Sequence, residues 1–165
     1  MEVYSAAPFV ELFLNGKSLG KQATENAMAV FACTYEPGAL EAVSFDSDGN
    51  ETGRSKLESA QGELSIRLTQ EEVEVKAGSL VFVDVDLVGE NGVVESNADT
   101  ALTVTVEGGT LIGFGSARAR TPEKFVEGTY RTYYGRALAA VLIGETGTAV
   151  IKVTGNGMNT VFTLK

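Results

Sequence analysis

Val10-Glu11-Leu12-Phe13-Leu14-Asn15-Gly16-Lys17-Ser18-Leu19 decides the fold class of this chain. Val10, Leu12 and Leu14 recur with period two, the spacing that puts side chains on one face of a strand. Asn15-Gly16 then supplies the positive φ angles of a two-residue hairpin turn. Lys17 to Gln22 is the returning strand. The same grammar extends in both directions, and helical periodicity is nearly absent.

Working outward, Ala27 to Tyr35 reads as a strand stopped by Glu36-Pro37-Gly38. Leu40 to Phe45 follows, and Asp46-Ser47-Asp48-Gly49-Asn50 turns the chain into Glu51 to Ser59. A second series opens with Leu64, Ile66 and Leu68 and continues through Val73 and Val75. Val81, Val83, Val85 and Leu87 share an inward face, with Asp84 and Asp86 opposite. Leu102, Val104 and Val106 come next, then Leu111-Ile112. Ala137 to Ile143, Thr148 to Thr154 and Thr160 to Leu164 close the chain. Strands at intervals of about 8–12 residues with turn signals between them predict antiparallel sandwiches. About six strands precede the join and seven or eight follow, by comparison with the roughly seven-strand immunoglobulin template. The expectation is therefore all-β: two tandem immunoglobulin-like sandwiches, residues 1–66 and 67–165.

Composition limits the chemistry. The 165 residues are 44% hydrophobic and 21% charged, as expected of a globular chain. No apolar run approaches the roughly 18 residues of a membrane helix, so no membrane partner is expected. A net charge of −9 disfavours nucleic acid. The absence of histidine removes the usual general base, the Ser–His and Cys–His nucleophile pairs and the commonest metal ligand. Cys33 is the single cysteine; alternating with Phe31 and Tyr35, it reads as a small buried hydrophobe.

The remaining candidates have plainer readings. Asp46, Asp48 and Asn50 resemble a calcium loop superficially, but Gly49 precedes the third ligand position, and a β-turn explains them better. Asn50-Glu51-Thr52 fits a glycosylation sequon, a pattern that often arises by chance. Asp84 and Asp86 could converge as paired carboxylates, yet an alternating polar face is the default of a half-exposed sheet. Gly113-Phe114-Gly115 and Gly155-Asn156-Gly157 are too short for a phosphate loop. No catalytic, cofactor or metal residue is assigned.

One stretch breaks the alternation. Between Gly113 and Val141 about twenty residues gather basic and aromatic side chains, and a long connection of this kind is usually functional. Arg118, Arg120, Phe125, Tyr130, Arg131, Tyr133 and Tyr134 are expected to form a docking loop, with a tyrosine or Phe125 as apolar anchor. Direct ligand binding and plain packing are the competing readings.

Val3-Tyr4-Ser5 and Val10 to Gly20, then Tyr35-Glu36-Pro37-Gly38 and Asp46-Ser47-Asp48-Gly49, stand in the order of a "VYSN…VELFLNGKSLG…YEPG…DxDG" series. This resembles an Ig-like domain of bacterial family 2 glycoside hydrolases of the β-galactosidase type; Ala6 departs from the usual Asn. Asp86 to Gly92, Asn97-Ala98-Asp99 and the run ending in Gly135-Arg136-Ala137-Leu138 resemble the Ig-like domain that follows in those enzymes. The resemblance implies that the catalytic glutamates lie in an upstream (β/α)₈ barrel and that this chain is a C-terminal accessory piece. It also implies contacts with upstream catalytic and sandwich domains or between subunits, and carbohydrate encountered through the parent enzyme. A carbohydrate-binding module and an Ig-like adhesin stalk are the rival readings.

Overall fold

The computed structural model describes all residues, Met1–Lys165, and its strands are antiparallel throughout. The chain divides into two compact units, Met1–Ala60 and Gln61–Lys165.

The first unit contains β1 (Glu2–Tyr4), β2 (Phe9–Leu14), β3 (Lys17–Ala23), β4 (Met28–Val30), β5 (Ala39–Phe45) and β6 (Glu51–Glu58). One sheet has the order β3-β2-β5-β6, and β1 pairs with β4 in a second, two-stranded sheet. The β2–β3 hairpin turns on Asn15 and Gly16, both at positive φ. Val10, Leu12, Ala29 and Phe31 form the core, with Val3, Leu19, Leu40 and Ala42 packed on it. β6 is an edge strand exposed along its whole length. Arg54 bridges Glu41 at 2.9 Å and Glu51 at 3.0 Å there, and Lys56 meets Glu58 at 2.5 Å. Charge on a free edge discourages pairing with another chain.

The second unit is a sandwich of two four-stranded sheets. Its strands are β7 (Ser65–Gln70), β8 (Leu80–Val88), β9 (Ala101–Glu107), β10 (Gly109–Gly115), β11 (Thr129–Arg131), β12 (Arg136–Ile143), β13 (Ala149–Gly155) and β14 (Met158–Leu164). The sheet orders are β10-β12-β8-β7 and β11-β9-β13-β14. Val81, Val83, Val85 and Leu87 are fully enclosed, facing a core that includes Leu102, Val104, Val141, Ile151 and Val153. The inward positions expected for β8 from its period-two spacing are all buried.

Several expectations are corrected. The strand expected over Ala27 to Tyr35 is only β4, because its partner β1 is three residues long and offers no ladder beyond Val30. Cys33 lies past that ladder and is an exposed free thiol, not a buried hydrophobe. Val73 and Val75 are in no strand; the β7–β8 ladder stops at the Gln70–Val83 pair. Asp86 is buried on its outward face, because Arg67 from the neighbouring strand folds over it at 2.6 Å. The 66/67 division expected from sequence would cut through β7, which pairs with β8; the compact units part at 60/61.

Candidate functional site: the groove beside the β11–β12 turn

The long connection is shorter and more ordered than its composition suggests. β10 continues to Gly115, a single 3₁₀ turn spans Phe125–Glu127, β11 pairs with β9, and β12 starts at Arg136. The longest irregular run left in it is 116–124. A register shift between Leu111 and Gly113 interrupts the alternation of β10 and conceals it in the sequence.

β10 and β11 each lie at one edge of their sheets, and the 3₁₀ turn lies between them in sequence and against β10. Phe125 lies against Gly115, where any Cβ would overlap its ring, and stacks on Tyr130 at 5.1 Å between centroids with planes 7° apart. Glycine at 115 is therefore a requirement of close approach. Tyr130 is 1% exposed and belongs to the core, so it is not the anchor of a docking loop. Phe125 keeps 57% of its surface exposed despite the stack.

Tyr133, Tyr134, Gly135 and Arg136 form a tight turn closed by two backbone hydrogen bonds between Tyr133 and Arg136, 2.9 and 3.1 Å. Tyr134 sits at φ +52° and Gly135 at +73°, the left-handed pair of a type I′ turn. The Tyr133 and Tyr134 rings meet at 4.3 Å, inclined by 51°. The hydrogen bond with Tyr134 is the chief cause pushing the Tyr133 phenol above its usual range, aided by the Tyr134 charge and by desolvation.

The arginines have different fates. Arg118 donates to the Asp99 carboxylate at 2.7 Å, and Arg131 donates to the Asp99 backbone carbonyl at 3.0 Å. Both are tied to their own unit. Arg120 is exposed. Thr132, absent from the sequence candidates, is fully buried: its hydroxyl donates to Ala98 O at 2.7 Å and accepts from Thr100 N at 2.9 Å. A single threonine beside two tyrosines carries no periodic signal that would reveal it.

An open groove of about 720 Å³ lies over the outer face of the β10–β12–β8 sheet, lined by Phe125, Tyr133, Tyr134, Leu138, Asp84 and Arg136 among others. Gly115, Leu138 and Asp84 stand in one cross-strand row. Arg136 is opposite Asp86 one row along. Asp86 is neutralised by Arg67, so only Asp84 of the two aspartates is presented freely. No group of three or more His, Cys, Asp or Glu side chains is placed to hold a metal ion.

The other sequence candidates settle into turns. Asp46 accepts from the backbone N–H of Asp48 at 2.9 Å and of Asn50 at 2.8 Å, and from the Asn50 side chain at 3.0 Å. Those bonds hold its carboxyl below the usual range, the Asn50 side chain contributing most. The carboxylate closes a turn upon itself. Asn156 and Gly157 form the β13–β14 hairpin turn, both at positive φ.

The fold is that of tandem all-β sandwiches. The family models make the class specific. Residues 64–162 match the glycoside hydrolase family 2 C-terminal domain 5, and residues 1–53 match a domain of unknown function, DUF4982. The chain belongs to the glycoside hydrolase family 2 C-terminal domain 5 family. It is 29% identical over 161 residues to the β-galactosidase BoGH2A of Bacteroides ovatus, covering 94% of this chain and 19% of that protein. A family 2 glycosyl hydrolase from Bacteroides cellulosilyticus superposes with TM-score 0.88 at 31% identity, covering 99% of this chain and 24% of that one. A β-glycosidase from Bacteroides vulgatus shares the fold at TM-score 0.78 and 22% identity, covering 96% of this chain and 21% of that one. The chain thus spans about a fifth to a quarter of the length of the relatives it matches.

Proposed function

We propose that this chain is the non-catalytic C-terminal region of a family 2 glycoside hydrolase of β-galactosidase type, and that it supports the catalytic barrel and the contacts between domains or subunits. The observation that carries the reading is the ordered pair of family matches, 1–53 then 64–162, together with a relative covering 99% of the chain but only 24% of its own length. The chemistry of the chain agrees with it. There is no histidine, and the paired aspartates on β8 are divided between an ion pair and an exposed position. A retaining glycosidase needs two carboxyl groups roughly 5–5.5 Å apart, one of them in an environment that raises its pKa.

Two measurements test this. Incubated with aryl β-galactoside and β-glucuronide substrates, the 165-residue chain is expected to match buffer alone; turnover that disappears in Asp84→Asn would overturn the non-catalytic role. Removing the region from the full-length parent is expected to lower its thermal inactivation midpoint or alter its assembly. A shortened enzyme with unchanged midpoint, assembly and activity would overturn the supporting role.

A further inference from the structure

We propose that the groove beside the Tyr133–Arg136 turn is a binding site for a neutral pyranose unit of a glycan. This goes beyond a supporting role and rests on three independent features of the site.

The first is backbone conformation. Tyr134 occupies the first central position of a type I′ turn at φ +52°, where Asn, Asp or Gly are the unstrained choices. A bulky side chain in the left-handed region is an outlier whose strain points to a use for that side chain. The Tyr134 ring is 60% exposed and lines the groove, so the use lies in what the ring presents to an incoming molecule.

The second is an unanswered hydroxyl. Ser116 also lines the groove, and its Oγ is buried with no hydrogen-bond partner in the protein. Buried hydroxyls are nearly always satisfied, and one left open beside a cavity calls for an explanation. A rotation of the Ser116 side chain about χ1 turns this hydroxyl toward the groove, where a ligand hydroxyl supplies the missing bond.

The third is the balance of charge and polarity. Asp84 and Arg136 both line the groove, and neither side chain takes part in an ion pair. Their charges cancel, so neither an anion nor a cation gains from the local field. Apart from Ser116, the rest of the lining is apolar or aromatic, including Phe125, Tyr133, Tyr134 and Leu138. A carboxylate accepts from adjacent hydroxyls and a guanidinium donates to ring and hydroxyl oxygens. Aromatic rings cover the C–H face of a sugar. A neutral pyranose has this combination of an apolar face and a hydroxylated edge. The volume lies within the roughly 300–1,000 Å³ typical of small-molecule sites.

The experiment is affinity electrophoresis of the 165-residue chain through native gels containing β-1,4-galactan, mixed-linkage β-glucan or polygalacturonate. It is followed by titration with oligosaccharides of the retarding polymer, read by tyrosine fluorescence, which is clean because the chain has no tryptophan. The wild-type chain is expected to be retarded by a neutral polymer and not by polygalacturonate. Tyr134→Asn is the decisive variant: it relieves the turn, so its melting temperature is expected to be no lower than wild type while binding weakens at least tenfold. Asp84→Asn is expected to weaken binding by a similar factor. Wild-type mobility unchanged in all three gels, or Tyr134→Asn retarded as strongly as wild type, would overturn the proposal. So would self-association seen by sedimentation and dissolved by Leu138→Glu, since the groove would then be covered by a second copy. Each of these readouts is independent of hydrolytic activity, so the site and the supporting role fail separately.

Discussion

Tyr134 shows how much a single backbone angle can say. At φ +52° a tyrosine sacrifices roughly 1 kcal/mol relative to a residue suited to the left-handed region. Tyr134→Asn is therefore expected to raise the urea unfolding free energy by about 0.5–1 kcal/mol, even after losing the ring contact with Tyr133. A fall of that size would mean the ring contact outweighs the strain. Thr132 sits two residues away and acts in the opposite sense. Thr132→Val keeps the volume but leaves the Thr100 N–H without its acceptor and reduces Ala98 C=O to its bond from Gly135 N–H. A loss of about 2 kcal/mol is expected in the same measurement; a neutral result would show that the backbone finds other partners. Asp46 gives a residue-scale pH dependence. Its folded pKa is depressed by hydrogen bonds from Asn50 and Asp48. Whatever the turn adds to stability is thus complete above the unfolded Asp value of about 3.9 and fades as pH falls through the lower folded value. The carboxyl carbon shift followed by NMR is expected to show a midpoint below that unfolded value. A midpoint at or above it would contradict the bonding seen here.

At the scale of elements, the irregular stretch resolves into an edge device. β10 and β11 end their respective sheets, and Phe125 lies on Gly115 and stacks against Tyr130. Gly115→Ala is expected to displace Phe125 and cost about 1–3 kcal/mol, the usual range for overpacking. Phe125→Ala in that background should then add little, since the two changes remove the same contact. Additive losses in the double variant would show that Gly115 matters for another reason. The apolar outer face here includes Leu138 and Leu142 of β12 and Leu80 of β8, all more than a third exposed. These side chains make part of the outer face apolar, and the groove lies at one end of it.

At the scale of the whole molecule, the two units differ in what they can bury. Gln61–Lys165 encloses a core of eighteen buried hydrophobic residues, whereas the principal cluster of Met1–Ala60 has four. A domain of about 60 residues is marginal on its own, because too little of its surface is removed from water. Residues 61–165 expressed alone are therefore expected to unfold in one cooperative transition, measured by circular dichroism. Residues 1–60 alone are expected to unfold at a distinctly lower temperature or not to fold. Equal stability of the two pieces would show that core size does not govern this pair.

Period two along Val10, Leu12 and Leu14, repeated along Val81, Val83, Val85 and Leu87, determined the fold class from sequence alone, because successive residues of a strand face opposite ways whatever the strand packs against. Asn15-Gly16 and Asn156-Gly157 likewise determined their hairpins, since positive φ is a local demand. The order of motifs from Val3 to Leu138 carried the family. Partnership was different. The length of β4 depended on β1, the burial of Asp86 on Arg67 reaching across from β7, and the exposure of Cys33 on a ladder that ended early. The docking set was divided in the same way: Tyr130 entered the core, Arg118 and Arg131 turned to Asp99, and Phe125 and Tyr134 stayed at the surface. Such outcomes are non-local, because burial and charge pairing depend on neighbours brought together only by the folded sheets, and no spacing along the chain encodes them.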